Sequence, residues 1–157
     1  MNPKEGGEMV PVLLVEDDLE DVHITRRAFM RGGITNPLHV VHSGEAAMEF
    51  LTNVGCYSDA TQAPRPGLIL LDLRLPGFDG CEVLKQIKGN PLLRRVPVVV
   101  LTTSSERADV LRCYDVGANT YITKPVEFDK FLEAVIAIGQ YWLSIAEIPD
   151  CDEVVES

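Results

Sequence analysis

A chain of 157 residues, 46% hydrophobic and 24% charged, is enough for one domain with its own core and leaves no room for a second of ordinary size. Its formal net charge of −10 argues against gripping a nucleic-acid backbone, which needs a basic face, and suits a site that holds a cation. No apolar run approaches a membrane span, and the start MNPKEGGEMVP has no hydrophobic stretch of the signal-peptide kind, so the expectation is a cytoplasmic protein with no membrane partner.

In chain order, apolar runs alternate with helical patterns. Residues 1–9 read as a flexible start. VPVLLV (10–15) is the first run, and Asp18 stands where it can cap a segment whose Leu19, Val22 and Phe29 share one face. LHVV (38–41) follows, with Ser43 ahead of GEAAMEFL. The Pro- and Gly-rich stretch NVGCYSDATQAPRPG reads as a surface connection. After LILL (68–71), Asp79 and Glu82 have capping-box spacing before VLKQIK. After VVVL (98–101), Ser104 or Ser105 is expected to cap ERADVLRCYDV, which Gly117 terminates. TYIT (120–123) precedes a last helix from about Glu127 to Ser144, with Phe128, Phe131, Leu132, Val135, Ile138 and Trp142 on one stripe. The remainder, 147–157, is an acidic tail, so the domain is expected over 10–146. The scattered Cys56, Cys81, Cys113 and Cys151 form no CxxC pair and read as reduced structural thiols.

Three of these runs lack polar alternation, as strands covered on both faces do. Strand–helix alternation through the chain predicts an α/β fold, a five-stranded parallel sheet with right-handed crossovers and helices on both faces. The doubly wound order 2-1-3-4-5 is one well-populated arrangement. In such sheets the ligand crevice lies beyond the carboxyl ends of the strands, where the order reverses.

Polar residues stand at those ends. The first strand runs out into Glu16, Asp17 and Asp18, the third into Asp72, the fourth into Thr102 and Thr103, and the fifth into Lys124 and Pro125. Carboxylates crowded at one edge repel, and one takes up a proton unless a cation compensates. An all-oxygen donor set with room for water suits magnesium. The metal and Lys124 would neutralise the oxygens of a phosphoryl group, Thr102 would donate to it, and Asp72 would be the nucleophile.

The set LLVEDD, LILLDLRLPGFDG, VVVLTTS and YITKP resembles the receiver domain of two-component response regulators over roughly residues 10–143. The resemblance implies a flavodoxin-like (βα)5 fold and a phosphoryl group accepted from a histidine kinase onto Asp72 in a magnesium-dependent phosphorelay. It implies that Glu16 and Asp17 are the acidic pair holding magnesium, with the backbone carbonyl of Arg74 as a further ligand. Thr102 is then the switch hydroxyl, Tyr121 the switch aromatic and Lys124 the conserved-role lysine, its bond to Pro125 cis. Glu16 departs from the aspartate common at its position. The domain would catalyse its own phosphorylation and hydrolysis, as a signalling protein rather than a metabolic enzyme. More narrowly, the extended loop before the third strand and the ending QYWLSIAEIP resemble single-domain regulators paired with phytochrome-type histidine kinases.

Other residues have plainer readings. Asp18 is explained by helix capping; Ser104 is a cap or tunes the phosphoryl lifetime; Tyr121 is a core aromatic or a switch. His23, His39 and His42 read as surface residues, and Arg26 and Arg27 as solvated charges or part of a kinase-docking face. Apolar residues also spill round the last helix, through Ala134, Ile136, Ala137, Tyr141 and Leu143, which predicts a homodimer through the fourth helix, fifth strand and fifth helix, with Val110, Leu111 and Tyr114 joining it. The alternative is that WLSIAEIP folds back as intramolecular cover. Two rival functions are a docking module of the same fold that is never phosphorylated, and a magnesium-dependent phosphohydrolase. The second normally carries an aspartate two residues past its nucleophile, where this chain has Arg74.

Overall fold

Successive residues of the strands point to opposite faces of a single sheet, and that alternation produces two cores. The computed structural model describes residues 9–77 and 79–149; the acidic tail beyond 149, with Cys151, and residues 1–8 lie outside the described residues. The strands β1 (Val12–Val15), β2 (Leu38–Val41), β3 (Leu68–Leu71), β4 (Val98–Thr102) and β5 (Thr120–Thr123) are all parallel, in the order β2-β1-β3-β4-β5. They alternate with α1 (Leu19–Arg31), α2 (Gly44–Thr52), α3 (Gly80–Gly89), α4 (Arg107–Val116) and α5 (Phe128–Gln140). This is the flavodoxin-like doubly wound arrangement.

Leu13, Val15, Ile69, Leu71, Val98 and Val100 pack with Phe50, Leu84 and Ile87 on one face. Their neighbours Val12, Leu14, Leu68, Leu70, Val99 and Leu101 pack with Val22, Phe29, Phe131 and Val135 on the other. Burying each such side chain contributes roughly 1.5–3 kcal/mol, so the apolar strands are fixed in register. Val15 lies level with Val41 and Leu71, Leu71 with Val100, and Thr102 with Thr123. The residues that follow leave the sheet at one edge. No helix among the described residues is long and apolar enough to cross a membrane.

The caps explain where helices begin. Asp18 accepts from the N–H groups of Glu20 and Asp21, Ser43 from Ala46 and Asp79 from Glu82. Gly80 opens α3 against the backbone of Asp72: a Cβ there would stand 2.2 Å from the Asp72 carbonyl oxygen, so only glycine fits. Gly117, at φ 121°, ends α4 as expected.

Four expectations are corrected. Neither Ser104 nor Ser105 takes the cap position of α4; Glu106 does, without a side-chain bond, because the helix starts only at Arg107, while the Ser104 hydroxyl donates to Asp109 at 2.5 Å and accepts from the Glu106 N–H at 3.4 Å. Leu19 is 63% exposed rather than covered, since it stands in the first turn of α1 at the open edge of the sheet. β1 starts at Val12, after Pro11, which has no N–H to offer. No peptide bond among the described residues is cis, so Lys124–Pro125 is trans, the form favoured for an ordinary X–Pro bond by about 0.5–1 kcal/mol.

The long connection before β3 is tied down. Asn53, at φ 55°, donates its side-chain amide to the carbonyls of Tyr57 and Ala63, and Ala63 is buried. At the other end the chain leaves α5 by a wider, π-helical stretch, Tyr141–Ile145. Leu143 turns inward and Trp142 packs beside it, while Tyr141 and Ile145 stay exposed, so the surplus apolar surface is split between cover and solvent.

Candidate functional site

Lys124 is the centre of the arrangement. Its Nζ donates to Asp21 Oδ2 at 2.7 Å, Glu16 Oε2 at 2.8 Å and Asp72 Oδ2 at 3.0 Å. The sheet brings them together: β1 delivers Glu16, β3 Asp72 and β5 Lys124, all three buried, while α1 swings Asp21 over the same edge. Backbone bonds hold the two sheet carboxylates. Asp72 Oδ1 accepts from the Arg74 N–H at 3.1 Å, Glu16 Oε1 from the Asp18 N–H at 3.1 Å, and a His42 ring nitrogen meets the Glu16 carbonyl at 2.9 Å.

The electrostatics are lopsided, because the carboxylates outnumber the ammonium. Burial is the main reason the Glu16 carboxyl is pushed up to about 8, with the neighbouring Asp72 charge adding to it and Lys124 opposing. Burial pulls the Lys124 ammonium down, but its bonds to Asp21 and Glu16 and the charge of Asp72 more than offset that, so it stays firmly protonated.

Glu16, Asp17 and Asp72 each offer an oxygen, and these lie within 4.8 Å of one another. Asp17 is exposed, so the group opens to solvent on that side. Hard oxygen donors carrying excess negative charge, with an open side for water, fit a divalent cation.

Thr102 ends β4 beside this group. Its hydroxyl is fully buried and has no hydrogen-bond partner among the described residues. An unmatched buried hydroxyl costs about 1–3 kcal/mol, and such a cost is repaid when an acceptor arrives. Lys124 N–H donates to the Thr102 carbonyl at 2.6 Å, tying the two strand ends together. Tyr121 lies half-buried, its hydroxyl donating to the Ser104 carbonyl at 2.7 Å.

The structure therefore brings together Glu16, Asp17, Asp72, Thr102 and Lys124. Asp18 is a helix cap, as read, and the Arg74 side chain points to solvent. Asp21 is the residue that sequence reasoning missed. The signal was available in EDDLED: once Asp18 caps the helix, Asp21 falls in its first turn, one helical step from Asp17 at the site edge. Cys81 and Cys113 are buried free thiols whose burial raises their pKa, and Cys56 is exposed and free.

Comparison with known proteins agrees with this geometry. Residues 12–136 match the response regulator receiver domain. The chain is 42% identical over 138 residues to response regulator Rcp1 of Synechocystis, covering 88% of this chain and 92% of that one. It is 41% identical to the probable methanogenesis regulatory protein FilR2 of Methanothrix harundinacea, covering 88% and 87%. Among solved structures, the phosphorylated cyanobacterial phytochrome response regulator RcpA superposes with a TM-score of 0.85 at 40% identity, covering 90% and 99%. The Mn(2+)-bound form of Rcp1 gives 0.84 at 41% identity, covering 89% and 99%.

Proposed function

The chain belongs to the response regulator receiver family, and from that premise we propose that Asp72 accepts a phosphoryl group from the phosphohistidine of a histidine kinase. The kinase is of the phytochrome type, as the similarity to RcpA and Rcp1 supports. The observation that carries the residue-level reading is the buried Thr102 hydroxyl, at the end of the strand that pairs with the one delivering Asp72. The Thr102 carbonyl accepts from the Lys124 N–H. Its hydroxyl is free of protein partners among the described residues and can donate to a phosphoryl oxygen.

In the reaction an Asp72 carboxylate oxygen attacks phosphorus, and the bond from phosphorus to the donor nitrogen breaks, with its electron pair leaving on the imidazole. Lys124 neutralises charge on the transferred group, and Thr102 donates a hydrogen bond to one of its oxygens. Glu16, Asp17, Asp72 and the Arg74 carbonyl would hold magnesium, which supplies charge neutralisation when bound. Hydrolysis of the acyl phosphate returns the carboxylate, so the domain resets itself without being a metabolic enzyme.

Output follows from two conformations of one surface, biased by Thr102 and Tyr121. The receiver domain spans 10–146 and acts in the cytoplasm as a homodimer through α4, β5 and α5, where Leu111 and Tyr114 stand half exposed.

The test is intact mass after incubation with acetyl phosphate, with and without magnesium, for the wild type and Asp72→Asn. A gain of one phosphoryl group that needs both magnesium and Asp72 is the expected result. Uptake by Asp72→Asn equal to wild type would place the acceptor elsewhere.

A further inference from the structure

An ammonium group has three hydrogens to donate, and Lys124 has committed all of them, to Glu16, Asp21 and Asp72. These partners are not equivalent. Glu16 and Asp72 also belong to the oxygen cluster that fits a cation; Asp21 does not. Asp21 makes the shortest of the three bonds, and its own position is fixed by its helix: its N–H donates to the capping Asp18, and its carbonyl accepts from the buried Thr25 hydroxyl at 2.9 Å.

Resting on the phosphoacceptor reading above, we propose that Asp21 is the positioning residue for Lys124, the one partner that keeps hold of Nζ while the other two change theirs. Once Asp72 is acylated its carboxylate charge is gone, and the donor that faced it turns to a phosphoryl oxygen. Glu16 shares its oxygens with the cation cluster. Asp21 has no competing duty, so it sets where Nζ stands when the phosphoryl group arrives. The packing of α1 against α5 thereby becomes part of the site, because α1 carries Asp21.

The sign of the effect separates positioning from simple charge. Asp21→Asn removes a negative charge, which by itself favours an anionic donor and predicts faster uptake. A misplaced Lys124 predicts the reverse, and small misplacements of a charge-neutralising group cost from about tenfold to 100-fold in rate.

The experiment has two readouts. In the metal-free protein labelled with 15N-lysine, the Lys124 ammonium is expected to give a slowly exchanging resonance that Asp21→Asn abolishes. With acetyl phosphate and magnesium saturating for each protein, Asp21→Asn is expected to take up phosphoryl groups at least about tenfold more slowly than wild type. Asp21→Glu keeps the charge and the favourable helix-end interaction but shifts the carboxylate by one methylene, so it too is expected to be slow. Wild-type rates in Asp21→Asn or Asp21→Glu, or an unchanged ammonium resonance in Asp21→Asn, overturn the proposal. A lowered melting temperature with an unchanged rate does the same, leaving Asp21 as fold support only. Should the wild type itself take up nothing, the Asp72 reading fails, and the metal-free resonance still decides the role of Asp21.

Discussion

Tyr121 holds Ser104: its hydroxyl donates to the Ser104 backbone carbonyl at 2.7 Å, so β5 reaches over and fastens the loop that leads from Thr102 into α4. The same loop is pinned from the other side by the bond from the Ser104 hydroxyl to Asp109, and the Tyr121 N–H donates to the Tyr114 hydroxyl at 3.2 Å. A continuous set of bonds thus joins the site edge to the exposed face of α4. A change at Thr102 has a physical route to that face.

Tyr121→Phe removes one donor from that set and leaves a half-buried carbonyl without its partner. The expected cost is about 1 kcal/mol, or roughly 2–4 °C in melting temperature for a domain of this size. Hydrogen exchange of the amides between Thr103 and Arg107 is expected to speed up, because the loop loses its fastening. Unchanged exchange there, measured by mass spectrometry, would show that the loop is held by Asp109 alone.

Thr102→Val is expected to go the other way on stability. The two side chains have the same shape, and the hydroxyl removed is fully buried with no partner among the described residues. Its loss relieves a desolvation cost, so the unphosphorylated protein gains about 1–2 kcal/mol, visible in a urea titration as a higher midpoint at the same slope. The same variant is expected to show a weaker conformational response to beryllofluoride, followed by Tyr121 fluorescence. A destabilised Thr102→Val would mean that the hydroxyl has a resting partner, and would remove the main support for its role.

The sheet was legible because its signals were redundant. LILL and VVVL carry no polar residue, so each had to be covered on both faces, and only a parallel sheet with helices on either side does that. Asp72, Thr102 and Lys124 were legible for the same reason: a strand end is fixed by its strand. Asp21 was only half legible: EDDLED places it in the first turn of α1 near the site edge, but its bond to Lys124 depends on how far α1 leans over that edge, which follows from α1 packing on α5. Ser104 was misread because Ser, Ser and Glu in succession offer several caps, and the start of α4 at Arg107 decides among them. WLSIAEIP reads equally as cover or as interface, and the π-helical turn at Tyr141–Ile145 divides it between cover and solvent.

The raised Glu16 pKa sets a pH dependence whose sign can be worked out. Its value goes from 4.5 to about 8 in the folded protein, so between those limits the folded state binds a proton that the unfolded chain has released. Its contribution to stability is fully present below about pH 4.5 and is lost as pH rises through 8. Metal-free protein is therefore expected to melt at a higher temperature at pH 6.5 than at pH 8.5, and Glu16→Gln to flatten that difference. Cation binding needs the carboxylate, so below pH 8 it displaces the proton. Magnesium affinity should then rise up to about tenfold per pH unit between 6 and 8. Calorimetry in buffers of different ionisation enthalpy reads that proton directly, and binding with no proton released would mean that Glu16 is already ionised in the resting protein.

Self-association is the last prediction and depends on which apolar surface remains uncovered. Leu111 is 51% exposed, Tyr114 49%, Tyr141 52% and Ile145 72%, at positions where α4 and the end of α5 face outward. One such residue alone is ordinary; several on the two helices that flank β5 offer apolar surface for an interface, which in a stable complex buries roughly 800 Å² per partner. Sedimentation velocity at tens of micromolar is expected to show a dimer. Leu111→Arg places an unpaired charge in the interface and should raise the dissociation constant by about tenfold or more. Leu111 touches none of the groups around Asp72, so Leu111→Arg should still take up one phosphoryl group, which separates loss of the interface from loss of the acceptor. A wild type that sediments as a monomer in the resting state and after beryllofluoride treatment would assign this face to a different protein.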